Sequence, residues 1–205
     1  MNRFRLPSKV LALVRQTHPT DDLSLTLESL LEQTHRPETV VVCLADPAFT
    51  PSAALRPYLP YVHCCSPQSL TALPSRALGS YLMILEAGES LRATAIEALE
   101  LVLDLHSEVA LVHAAPPSSH QVPFTDAGGK YRPASTAGVV GPAVLSRLPE
   151  EHAQDALAMP REEYWQRLLR EGHLFYAIRH PLGWPCPRDN TVRTDEWSAY
   201  GERVR

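Results

Sequence analysis

The sequence predicts an α/β fold, a three-layer sandwich around a mostly parallel sheet. Three observations lead there. The runs Lys9–Val14, Thr39–Leu44 and Ser80–Leu85 are short, continuous and apolar, as strands buried on both faces are. Between them lie segments whose apolar residues recur at helical spacing. The links are short, and strand, helix, strand in that rhythm is the pattern of a right-handed parallel crossover.

The elements follow in order. Lys9 to Val14 is the first strand, and Asp21-Asp22 stand where a helix N-cap belongs. Leu23, Leu27, Leu30 and Leu31 then share one stripe, and the helix is expected to stop near Gln33 or Thr34, ahead of Pro37. Thr39–Leu44 is the second strand. Six prolines between Pro47 and Pro74 mark a loop with at most a short strand at Tyr61–Cys64. Ser80–Leu85 is a strong strand that stops at Glu86-Ala87-Gly88-Glu89. A helix is expected from Ser90 to about Leu105, with Ala93, Ile96, Leu99, Val102 and Leu103 on its apolar face. Val109–Val112 is another strand. The polar, Pro- and Gly-rich stretch Ala115–Ser135 is expected to be a mobile loop. Thr136–Leu148 is apolar with two glycines. Pro160 begins a helix over Arg161–Glu171 that Gly172 terminates, and Leu174–Ile178 is the last strand. Residues 1–190 read as one domain and 191–205 as a polar tail.

Composition narrows the function. Hydrophobic residues make up 44% of the 205, enough for one well-buried core. With 19 basic and 23 acidic side chains, the net charge of −4 argues against a broad grip on nucleic acid. No apolar run reaches the roughly 18 residues of a membrane span. The basic start Met1–Pro7 is followed only by Val10–Val14, too short for a secretory leader, so a cytoplasmic location is expected. Cys43, Cys64, Cys65 and Cys186 have no framework spacing and read as buried free thiols of a reducing compartment.

Three blocks carry a resemblance to a known family. The first runs from Val10-Leu11-Ala12-Leu13-Val14-Arg15-Gln16-Thr17-His18 through Leu30-Leu31-Glu32-Gln33-Thr34 to Val40-Val41-Val42. The second is Gly79-Ser80-Tyr81-Leu82-Met83-Ile84-Leu85-Glu86-Ala87-Gly88-Glu89, and the third is Glu162-Glu163-Tyr164-Trp165 continuing to Gly172-His173. In order and spacing they resemble the family-2 glycosyltransferases, whose catalytic domain has the nucleotide-diphospho-sugar transferase (GT-A) fold. The likeness spans residues 10 to 182.

The resemblance implies a site. It implies a nucleotide-diphosphate sugar as donor, held near the ends of the first strands by Arg15, His18 and Asp46. It implies Mn²⁺ or Mg²⁺ on the diphosphate, where a D-x-D element is replaced by Glu86-Ala87-Gly88 and Glu89 follows. A hard cation with oxygen ligands would neutralise the leaving group there. It further implies a carboxylate that takes the acceptor hydroxyl's proton. Counting back from Trp165 lands on Pro160-Arg161, and a shift of one or two residues offers Glu162 or Glu163. Arg188, after the last strand, stands where relatives carry a basic residue near the diphosphate.

Competing interpretations stand beside each of these. Glu86 and Glu89 also suit an acidic turn before a helix, and Glu162 and Glu163 suit an ordinary first helical turn. His63-Cys64-Cys65 lacks a second ligand pair and reads as a strand end. Gly128-Gly129-Lys130 lacks phosphate-loop spacing. The expected polar anchors are changed or displaced while the apolar frame is kept. Two functions follow: a divergent sugar transferase, or a GT-A fold retained as a binding or interaction module. For the first, the acceptor site would be completed by the 115–135 loop and the tail, by a partner protein or by a second copy; the sequence names no acceptor.

Overall fold

A computed structural model of the chain describes residues 8–17, 22–44, 55–67, 69, 81–114, 130–131, 142–147, 157, 159–178, 180 and 182–184. The tail, His18, Asp46, Arg188 and nearly all of the 115–135 loop lie outside the described residues.

The first strand, β1 (Val10–Gln16), leads into helix α1 (Leu23–Leu31) and returns as β2 (Thr39–Leu44). Strand β3 (His63–Cys65) follows, then β4 (Tyr81–Glu86), β5 (Ser90–Leu91), helix α2 (Ala95–Leu105) and β6 (Val109–Ala114). The remainder is β7 (Lys130–Tyr131), β8 (Val144–Arg147), helix α3 (Arg161–Arg170), β9 (Leu174–Ile178) and β10 (Gly183–Trp184). Among the described residues the main sheet has eight strands in the order β3-β2-β1-β4-β8-β6-β9-β7. Only β8 and β7 run against the others. As expected, β1 pairs in parallel with β2 on one side and β4 on the other.

The strands are apolar on both faces because both are covered. Val10, Ala12, Val14, Met83 and Leu85 pack with α1 and α2, while Leu11, Leu13, Leu82 and Ile84 pack with Tyr164, Trp165 and Leu168 of α3. That makes three layers. At about 25 cal/mol per Å² of apolar area, each fully buried Leu or Ile contributes roughly 1.5–3 kcal/mol.

Helix ends follow local chemistry. Asp22 Oδ1 accepts from the Leu25 N–H, capping α1 as expected. Helix α3 ends with Gly172 at φ 79°, where its N–H bonds the Leu169 carbonyl and His173 N–H bonds that of Leu168, a Schellman closure.

Three expectations need correction, and one stretch gains an assignment. Helix α1 stops at Leu31, because the Gln33 side chain turns back to serve the next helix. Ser90-Leu91 is not helical but pairs antiparallel with Gly183-Trp184, and α2 starts at Ala95. A Cβ on Gly183 would meet the Ser90 carbonyl at 2.7 Å, so glycine is required at that crossing. The apolar stretch ending at Leu148 contains β8, inserted between β4 and β6. Of the thiols expected to be buried, Cys43 is, but Cys64 is exposed and Cys65 is partly so.

Candidate active site at the β1–β4 edge

The chain leaves β1 toward β2 and β3 on one side, then comes back to place β4 on the other. Such a reversal opens a crevice beyond the carboxyl ends of the strands, where ligands of open α/β sheets bind. Arg15 and Glu86 are register partners there, on the last turns of β1 and β4.

The turn after β4 is set by its glycine. Gly88 has φ 96°, and the Glu89 N–H closes the turn on the Glu86 carbonyl at 3.0 Å. An acidic residue at 88 would be strained in that conformation, and the final acid of a D-x-D element has no equivalent here. Thr26 of α1 braces the turn: its Oγ1 accepts from Gly88 N–H at 2.9 Å and donates to the Glu89 carbonyl at 2.7 Å.

Glu86 and Glu89 have different fates. Glu89 is buried, and both its carboxylate oxygens accept from Arg161 Nη1, at 3.0 and 2.8 Å. Its Oε2 also accepts the Glu86 backbone N–H at 2.7 Å. Glu86 is partly buried rather than exposed, and among the described residues its Oε2 is a buried oxygen with no hydrogen-bond partner. Burial raises its pKa above the carboxylate norm, opposed by the charge of Arg161.

Two guanidinium groups complete the edge. Arg15 Nη2 donates to the backbone carbonyls of Leu157 and Met159. Arg161, the first residue of α3, is almost wholly buried; its Nε donates to Glu162 Oε1 at 3.3 Å, and it lies 5.3 Å over the Trp165 ring. Sequence reasoning missed Arg161. The signal was the count back from Trp165, which landed on it in place of an acid.

Of the two candidate bases, Glu162 is exposed at this edge and contributes to the field on Glu86 and Arg15. Glu163 is exposed one position further round α3 and makes no ion pair or hydrogen bond among the described residues. The structure therefore brings together Arg15, Glu86, Glu89, Arg161 and Glu162.

The two-carboxylate cation site implied by the resemblance does not fit this arrangement. Glu89 has both oxygens engaged by Arg161, which leaves Glu86, beside Arg15 and Arg161, and the exposed Glu162 as the other carboxylates at the edge. Among the described residues no group of three or more His, Cys, Asp or Glu is placed to hold a metal ion.

No protein-family model and no curated protein matches the chain. Solved structures do. The S. aureus TarS fragment 1–349 in complex with UDP aligns at TM-score 0.55 and 10% identity, over 85% of this chain and 59% of that one. The same fragment with UDP-GlcNAc aligns at 0.54 and 9%, over 84% and 57%. A 4-diphosphocytidyl-2C-methyl-D-erythritol synthase aligns at 0.58 and 15%, over 95% and 97%. TarS is a glycosyltransferase and the synthase a nucleotidyltransferase, and the likeness establishes a GT-A-like fold for this chain. The chain spans less than two thirds of the TarS fragment. Among the described residues no helix is long and apolar enough to cross a membrane.

Proposed function

We propose that this chain binds a nucleotide-diphosphate sugar at the β1–β4 edge and works as a divergent glycosyltransferase. The carrying observation is the convergence of Arg15, Glu86, Arg161 and Glu162 at the switch point of a GT-A-like sheet. Cationic forks suit a diphosphate, and a carboxylate without a partner suits a sugar hydroxyl. The solved neighbours hold UDP and UDP-GlcNAc, which favours this ligand class.

Transfer requires an acceptor hydroxyl to attack the anomeric carbon while the nucleoside diphosphate departs. Glu162 is the better-placed general base: it is exposed and it borders the edge, beside Arg161. Glu163 is the second candidate. His18, Asp46 and Arg188 lie on the segments that leave β1, β2 and β10, and are proposed for the base and the distal phosphate.

One observation favours the second reading, a GT-A-fold interaction module without turnover. Glu89 and the position of Gly88, where relatives place acids, are given over to holding the turn. A thermal-shift panel of UDP-, CDP-, GDP- and dTDP-sugars separates the two. A ligand at 100 times its Kd adds about 2.7 kcal/mol of stability, a rise of roughly 5–10 °C in Tm for a chain of this size. A panel that leaves Tm unmoved at millimolar concentration, with and without Mn²⁺, replaces the donor-site reading by the interaction module.

A further inference from the structure

We infer that the diphosphate charge is met here by the guanidinium groups of Arg15 and Arg161, so that nucleotide binding is independent of a divalent cation. The inference rests on the nucleotide-sugar reading above and deepens it.

The place of a cation is already filled by protein charge. Arg161 Nη1 sits on both oxygens of Glu89, inside hydrogen-bond distance. For Glu89 to ligate a metal it would have to strand that buried guanidinium and release the Glu86 backbone N–H. Gly88 cannot be supplemented by an acid without straining the turn. Glu86 and the exposed Glu162 remain, but Arg15 and Arg161 stand beside Glu86, and a dication there would compete with both guanidinium groups.

Each guanidinium is held rigidly and has donors to spare. Arg15 spends Nη2 on the Leu157 and Met159 carbonyls; among the described residues its Nε and Nη1 have no hydrogen-bond acceptor. Arg161 spends Nη1 on Glu89 and Nε on Glu162, which leaves Nη2 without an acceptor among the described residues. Trp165 beneath Arg161 and the two carbonyls on Arg15 fix the planes of both forks. Planar, permanently charged, pre-oriented donors are what bidentate phosphate recognition requires. Burial lowers the pKa of Arg15, with Glu86 opposing; an arginine nonetheless stays charged, and a desolvated cation short of acceptors gains from an anion.

The test is calorimetric titration of UDP and of inorganic pyrophosphate into the full chain, in EDTA and in Mn²⁺. UDP and pyrophosphate are expected to bind in EDTA as tightly as with Mn²⁺. Arg15→Gln is expected to weaken both by about tenfold or more, the loss of one charge-assisted hydrogen bond. Arg15→Lys, which keeps the charge and the fold contacts better, is expected to fall between. Binding that appears only with Mn²⁺ overturns the inference and leaves the nucleotide reading standing. Binding in EDTA that neither Arg15 variant weakens also overturns it. UDP that binds under neither condition overturns the nucleotide reading itself.

Discussion

Glu89 grips Arg161 with both carboxylate oxygens, at 3.0 and 2.8 Å, and the pair is buried where the turn after β4 meets the start of α3. A pair this enclosed is expensive to break from one side. Glu89→Gln should therefore lower unfolding stability by about 3–5 kcal/mol, because it leaves a buried guanidinium uncompensated. The double variant Glu89→Leu with Arg161→Met should recover most of that loss. Urea unfolding of the three proteins checks both values. A single variant within 1 kcal/mol of the parent, roughly the worth of a surface pair, would mean the ion pair is solvated in solution.

Glu86 should show the opposite behaviour. Its pKa is raised by burial, so ionisation costs more in the folded state than in the unfolded one. The sign follows: below the unfolded pKa of about 4.3 both states are protonated and no penalty exists. As pH rises from there through the raised folded value, ionisation costs the folded state more than the unfolded one, and stability falls. Glu86→Gln should be more stable than the parent at pH 7, with the advantage vanishing near pH 4. Stability held below its optimum at one side chain is typical of a site kept for function. Parallel denaturation curves at both pH values would contradict this.

His113 is wholly buried in β6, and burial pushes its pKa down to about 4. The unfolded chain binds the proton near pH 6.5, so stability present above that pH is lost as pH falls through 4. The shift corresponds to about 3 kcal/mol, and His113→Leu should flatten the acid limb of the stability profile by that amount. Urea midpoints at pH 7 and pH 4.5 measure it. An unchanged acid limb in the variant would assign the loss to other groups.

Gln33 joins two helices. Its Nε2 donates to the Ser29 and Arg92 carbonyls at 2.8 and 2.7 Å, and its Oε1 accepts the Ile96 N–H at 3.1 Å. Thr94 makes no side-chain cap, so Gln33 serves in its place at the start of α2. Gln33→Ala should cost about 2–3 kcal/mol, since it orphans buried backbone groups on both sides. A loss under 0.5 kcal/mol would show that water replaces the amide.

These residues show how far the sequence could be read. The frame of β1, β2 and β4 was legible because strands buried on both faces must be apolar throughout. The Leu-Leu-x-Gln-Thr block was visible as a motif, but its use was not. Gln33 acts through residues about sixty positions away, Arg92 and Ile96, and pairing at that range has no local signature. β5 was hidden because Ser90-Leu91 precedes a helical stripe and pairs with Gly183-Trp184 from the far end of the chain. Within the site, Arg15 and Glu86 came from the family resemblance, which placed them at the ends of the first strand and of Ser80–Leu85. Glu89 was expected to stand beside Glu86 as an equal. Only the inward turn of Arg161, the residue that occupies an acid's usual place, separates their roles.

The central claim is that a nucleotide-diphosphate sugar binds where β1 and β4 end. A crystal structure of the chain with UDP at saturating concentration tests it most directly. The account predicts diphosphate density within about 3 Å of the spare nitrogens of Arg15 and Arg161, above the Glu86 turn. Nucleotide bound elsewhere on the protein, with Arg15 and Arg161 unchanged, would contradict it.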